Sequence, residues 1–160
     1  MSPDLRKLAA LENVRSRRES RLARLRGHHA RQCEQMEQSV QHARQDADSL
    51  AHDVKRHQDK RWKALLGGTF DHTALLAASV QDDAERDRIE QAEQRLQQMV
   101  HELGEAKAKW EHTITDHVKA LRKLETWRDF VDGQCRAHTR RKEIRSESTQ
   151  EEQHGARHPG

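Results

Sequence analysis

The chain has 160 residues, 32% hydrophobic, 36% charged and 3% aromatic, with no Tyr, two Phe and three Trp. Its formal net charge is only +3, yet so many charges and so few large side chains exclude a thick globular core. What remains is disorder or a thin helical assembly.

The prolines decide between those two. Pro3 and Pro159 are the only ones, so nothing between them forbids continuous helix, whereas disordered chains of this polarity are commonly proline-rich. The polar residues are mostly Glu, Gln, Arg and Lys, which favour helix. No stretch approaches the roughly 20 apolar residues of a membrane span, and the N-terminus lacks the apolar run of a secretion signal. The expectation is a cytoplasmic protein. Cys33 and Cys135 are too few for a disulfide framework and match no zinc spacing, so reduced thiols are expected.

In chain order, Ser2, Pro3 and Asp4 predict an N-cap, a first-turn proline and a dipole-matched acid. From Cys33 the series Met36, Val40, Ala43, Ala47, Leu50, Val54, His57 steps alternately by three and four, as in the seam of a left-handed coiled coil. Upstream, Leu5, Leu8, Leu11, Leu22 and Leu25 continue the stripe in a less regular phase. The first helix is expected over about 3–66. Gly67 and Gly68 then supply the left-handed geometry of a C-cap, with a turn over about 67–72.

The second helix, expected over about 73–145, starts from Asp71 or Thr73 as N-cap. Its stripe runs through Ala92, Leu96, Met99, Leu103, Ala106 and Trp110. Ile114, Val118, Leu121, Leu124, Val131 and Cys135 follow after an irregularity resembling a stutter between Trp110 and Leu121. Periodicity is lost beyond Arg145, which predicts a disordered polar tail over 146–160. Gly27 and Gly104 mark soft points inside the helices.

Two long helices joined by a short turn run antiparallel, each burying its stripe against the other. The expected fold is therefore all-α: a long antiparallel two-helix coiled-coil hairpin over 1–145, drawn out to roughly 90 Å at 1.5 Å per residue. A parallel dimer remains an alternative, since seam spacing alone does not fix oligomeric state.

Charge is sorted along this hairpin. Residues 1–31 hold nine Lys or Arg against three acids, and residues 119–145 hold nine against four. Residues 32–118 hold eleven against seventeen. A hairpin brings the two basic segments to one end, where they would steer the molecule toward an acidic partner. Arg runs such as Arg15, Arg17, Arg18 and Arg21 are equally readable as solvated helix faces. At the other end Trp62, Leu65, Leu66, Phe70, Leu75 and Leu76 crowd more apolar surface than a two-helix seam covers. They form either a docking patch or a local cap over the turn.

Chemistry-bearing constellations are missing. His52 and His57, like His112 and His117, stand five apart and point away from each other; His28 and His29 are adjacent; no His-Glu-x-x-His occurs. Gly67-Gly68 lacks the residues of a phosphate loop. Two helices offer no deep pocket, so neither enzymatic activity, metal nor cofactor is expected. Nucleic acid is a rival partner for the basic end, although Trp127 and Phe130 are the only aromatics near it.

The Arg-rich first helix, the Arg-Trp-Lys-Ala-Leu-Leu approach to the turn at 61–66 and the Leu-Arg-Lys-Leu-Glu-Thr-Trp-Arg-Asp-Phe segment at 121–130 resemble the FliJ/YscO (SctO) family of type III secretion stalk proteins. The resemblance covers roughly residues 1–145; the polar tail departs from it. It implies a non-catalytic antiparallel coiled coil, similar to the gamma subunit of rotary ATP synthases. Such a stalk sits in the bacterial cytoplasm at the inner-membrane secretion apparatus. Its open end enters the pore of the hexameric secretion ATPase, and it reaches the membrane export gate. Carried onto this chain, the ATPase contacts would be Arg15, Arg17, Arg18, Arg21, Arg24, Arg122, Lys123 and Arg128. The gate contacts would be Trp62, Leu65, Leu66, Phe70, Leu75 and Leu76. A chaperone or escort of the same apparatus is the alternative partner-binding role.

Overall fold

The computed structural model describes residues 3–69 and 71–156. The expected N-cap Ser2 and the turn-end Phe70 lie outside the described residues. Two α-helices, α1 (Pro3–Leu66) and α2 (His72–Gly155), pack against each other, consistent with a helical hairpin.

The helix ends follow from local chemistry. Asp4 in the first turn of α1 complements the helix dipole. At the other end the Gly67 N–H donates to the Lys63 carbonyl at 3.0 Å, so the helical hydrogen-bond pattern runs one residue past Leu66. Left-handed geometry was expected here, but no described glycine has a positive φ. What Gly67 provides is room, because a Cβ there would stand 3.3 Å from the Lys63 carbonyl oxygen. Asp71 is the N-cap of α2, its Oδ1 accepting from the Thr73 N–H at 3.1 Å.

The end of α2 differs from expectation. Residues 146–155, read from sequence as disordered, are helical and fully exposed. Lost periodicity means that nothing packs on them, but Glu and Gln keep their helix propensity and no glycine or proline interrupts before Gly155. Ser146 and Thr149 hydroxyls donate to the Glu143 and Arg145 carbonyls, each at 2.7 Å, inside the same helix.

The chain divides into two compact units. Unit 1 comprises Met1–Arg26 with His112–Gly160, and unit 2 comprises Gly27–Glu111. In unit 2, contacts between the helices fall in residue number on α2 as they rise on α1: Glu37 meets Lys107, and Arg61 meets Asp82 and Glu85. The buried apolar residues are Cys33, Val40, Val54 and Ala78. Met36, Ala43, Ala47 and Leu50 are half-buried in the expected register, as are Ala92, Leu96, Met99, Leu103, Ala106 and Trp110, and half-buried Ile89 extends that stripe toward the turn. His57, expected in the seam, is exposed, and Gln58 takes the inward position. After Val54 the stripe therefore advances four residues instead of three, which brings Arg61 and Leu65 inward.

In unit 1, Glu12 meets Arg128 and Glu19 meets His117, again in opposite numerical order. Here the buried stripe departs furthest from the apolar reading. Leu11 and Leu25, expected inside, are 48% and 41% exposed, while Glu12, Arg15, Glu19 and Arg26 turn inward with Leu5, Leu8 and Leu22. On α2 the irregularity expected between Trp110 and Leu121 is not present. Thr113, His117, Ala120 and Leu124 are buried in unbroken steps of four and three, with Ile114 and Val118 one residue off the stripe and only half-buried. The apparent stutter came from following apolar residues where polar ones hold the register. Cys135, expected at the end of the stripe, is exposed.

Candidate interaction surfaces

All eight cationic residues assigned from sequence to the basic end fall in unit 1, which holds eighteen Lys and Arg against eleven Asp and Glu, a formal net of +7. Unit 2 holds twelve against sixteen, a net of −4. The sorting of charge seen along the sequence is thus a property of compact bodies.

Within unit 1 the eight are not equivalent. Arg15 lies over the Trp127 ring, its guanidinium carbon 4.6 Å from the centroid. Its Nη1 donates to the Lys123 carbonyl at 3.4 Å. This is an internal cation–π contact that withdraws Arg15 from the outer surface. Arg128 donates from Nε to Glu12 Oε1 at 3.2 Å. Arg24 leans on the Ser20 carbonyl of its own helix at 3.4 Å. Arg17, Arg18, Arg21, Arg122 and Lys123 are exposed, and among the described residues their side chains meet no acid. Together with Arg24, which is also exposed, these five are the outward-facing charge among the eight. Trp127 also stacks on Phe130, centroids 5.5 Å apart and tilted by 36°, and Phe130 is 48% exposed. The Trp127 Nε1 is buried without a hydrogen-bond partner among the described residues.

Sequence reasoning missed the polar centre of this unit. His117 is buried; its Nε2 is 2.8 Å from Glu19 Oε1 and its Nδ1 is 3.3 Å from Arg26 Nη1. Arginine can only donate, so Nδ1 accepts, and the proton on Nε2 goes to Glu19. The signal was present in the spacing, since Glu19 and Arg26 stand seven apart on one face of α1 and His117 sits three before Ala120.

The turn end belongs to unit 2. Of the six assigned residues Leu66 and Leu76 are exposed, Trp62, Leu65 and Leu75 are half-buried, and Phe70 lies outside the described residues. Val80, not anticipated, is 68% exposed. Trp62 is held inward because its indole Nε1 donates to Asp82 Oδ2 at 2.9 Å. The same carboxylate pairs with Arg61 Nη1, whose Nη2 reaches Glu85 Oε1 at 2.8 Å. These side chains are 14%, 15% and 11% exposed for Arg61, Asp82 and Glu85, a largely buried two-acid clamp on one guanidinium. Glu85 Oε2 has no hydrogen-bond partner among the described residues. The apolar crowd read from sequence is therefore split between a polar-braced interior and an exposed edge of Leu66, Leu76 and Val80.

Elsewhere in unit 2, Glu37 accepts from Lys107 at 2.8 Å on the surface and raises the lysine pKa, first through the hydrogen bond and then through charge. Among the described residues no three His, Cys, Asp or Glu side chains gather as metal ligands, and no helix is long and apolar enough to cross a membrane. Compared with known proteins, no family model, curated sequence or solved structure matches this chain.

Proposed function

We infer that the chain is an antiparallel coiled-coil hairpin serving as a non-catalytic stalk component of a bacterial type III secretion apparatus. In this reading unit 1 enters the pore of the hexameric secretion ATPase, and the turn end of unit 2 touches the export gate. The observation that carries the reading is the set of five exposed cations, Arg17, Arg18, Arg21, Arg122 and Lys123, without acidic partners among the described residues, on a two-helix body of net charge +7. Opposed numbering of the contacts in both units supports the antiparallel arrangement. Local resemblance to the FliJ/YscO family names the partner. Charge of this kind speeds encounter and selects acidic surfaces, and its effect falls with salt.

The test is co-purification with the secretion ATPase. Arg17, Arg18 and Arg21 changed together to Glu should weaken binding about a hundredfold at low salt, and the wild-type complex should weaken as salt rises. Binding indifferent to both would reject the assignment. Leu66→Ser with Leu76→Ser should reduce gate binding and leave ATPase binding intact, since both residues are exposed and belong to the other unit.

A further inference from the structure

Unit 1 has its polarity partly inverted: charged residues turn inward while large apolar ones stay outside. On α1 the outward residues are Leu11, Val14, Arg18, Arg21 and Leu25, each one position before an inward residue and spaced by three and four. Leu11, Val14 and Leu25 are 48%, 63% and 41% exposed. Singly, exposed apolar residues need no explanation. Three on one helical stripe, with two arginines between them that meet no acid among the described residues, form a second face on a helix that already has a partner.

The corresponding stripe of α2, Lys119, Lys123, Thr126 and Phe130, also stands one position before the inward residues Ala120, Leu124, Trp127 and Val131. The two stripes flank one side of the helix pair. Arg15 and Arg18 of α1 and Lys119 and Lys123 of α2 line a single groove with Leu22, Ala120 and one acid, Asp116, so that four cations stand against one carboxylate. That groove shares Arg15 and Lys123 with a second groove that Trp127 and Phe130 line. Ala120 is small, which keeps the floor open. Aromatic and arginine side chains of this kind are enriched where proteins bind one another tightly.

We propose that this face of unit 1 is a docking groove for a third helix supplied by a protein partner. That helix is amphipathic, about four turns long, with apolar residues toward its ends and carboxylates in the middle. The length follows from Leu11 to Leu25, which spans about 21 Å at 1.5 Å per residue. Spacing by three and four is the period that a facing helix can match with its own ridges. The central carboxylates follow from the order along the stripe, where Arg18 and Arg21 sit between apolar residues, and from the groove itself, where Arg15, Arg18, Lys119 and Lys123 outnumber Asp116. A nucleic acid would satisfy the cations but leave Val14 and Phe130 against phosphate or water. This inference rests on the exposed basic end described above but not on the ATPase being the partner.

The probe is a synthetic 21-residue peptide (about six turns, leaving end turns to fray) with Leu at alternating steps of three and four near its ends and Glu at the two central positions of that stripe. It is titrated against the full chain by fluorescence anisotropy. Comparison probes are the same peptide with Gln for Glu, a scrambled peptide and a single-stranded oligonucleotide of equal length. The proposal expects the Gln peptide and the Lys123→Glu protein each to bind about tenfold more weakly, and Val14→Ser to do the same. Helicity by circular dichroism should be unchanged, because Val14 is exposed. Phe130→Ser is a second apolar variant on the other helix. Equal binding of the scrambled peptide, apolar variants with wild-type affinity, or tighter binding of the oligonucleotide would each overturn it. So would a concentration-dependent self-dimer abolished by Val14→Ser, which would assign the face to a second copy. Peptide binding that survives while the ATPase fails to co-purify rejects only the stalk reading, and the reverse result rejects only the groove.

Discussion

Units 1 and 2 are built from the same two helices but hold them together differently. In unit 2 the helices meet through a long apolar stripe, Cys33 to Val54 against Ala78 to Ala106, with one buried polar clamp at Arg61, Asp82 and Glu85. Among the described residues of unit 1 only Ala120 and Leu124 are buried apolar ones. Half-buried Leu5, Leu8, Leu22, Trp127 and Val131 join them, but the stripe is shared with Glu12, Arg15, Glu19, Arg26, Thr113 and His117. A stripe of helical period fixes which faces meet, but apolar contacts alone let helices slide by a heptad, because every Leu is satisfied by every other. A pair of complementary polar groups is satisfied in one register only. Unit 2 needs one such clamp; unit 1 uses several and leaves Leu11, Val14, Leu25 and Phe130 on its outer face.

The sharpest test of the contrast is Arg61→Ala. It leaves two nearly buried carboxylates facing each other, so urea unfolding should show a loss of about 3 kcal/mol. Replacing the cluster together, Arg61→Met with Asp82→Leu and Glu85→Leu, should restore stability or raise it, as apolar replacements of buried ion pairs often do. If the triple variant is instead as unstable as the single one, the clamp is the main source of cohesion in unit 2 and the distinction between the units fails.

The corresponding experiment in unit 1 is a double-mutant cycle of Glu19→Ala and His117→Ala. Each single change should cost about 1 to 2 kcal/mol, with a coupling of about 1 kcal/mol. Additive effects would mean that Glu19 and His117 do not act as a pair. The smallest effect belongs to Lys107 and Glu37. The lysine pKa is raised above its ordinary 10.5 in the folded chain, so the stabilisation is complete below that value and is lost as pH rises through the raised one. Lys107→Met should remove that alkaline dependence from the urea midpoint and change nothing at neutral pH beyond the loss of a surface pair.

The sequence made legible whatever apolar periodicity encodes. The stripe from Met36 to Val54 and the stripe from Ala92 to Trp110 were readable because burial of Leu, Val and Met dominates there; the end of α1 at Leu66 was readable from Gly67 and Gly68, and the cap of α2 only as a choice between Asp71 and Thr73. It misled where polar residues keep the period. Ile114 and Val118 drew the reading one residue away from Thr113 and His117, and Leu11 and Leu25 concealed Glu12 and Arg26. Apolar residues are chosen by water, but an inward Glu or Arg is chosen by a partner on the other helix, about a hundred positions away, and pattern within one helix cannot reveal that partner. The basic end was legible as charge. That Arg15 is spent on Trp127 while Arg17, Arg18 and Arg21 stay outward depends on the pairing. The reading of 146–155 failed for the opposite reason: loss of a stripe reports loss of packing, which is separable from loss of helix.

The two thiols give the molecule a built-in gauge. Cys33 is 4% exposed between the helices of unit 2 and Cys135 is open to solvent, so an alkylating reagent titrates one sulfur at once. It reaches the other only when unit 2 parts. The slow phase of that reaction measures how often those helices separate, and a ligand that clamps unit 2 lengthens it without any label being engineered into the chain.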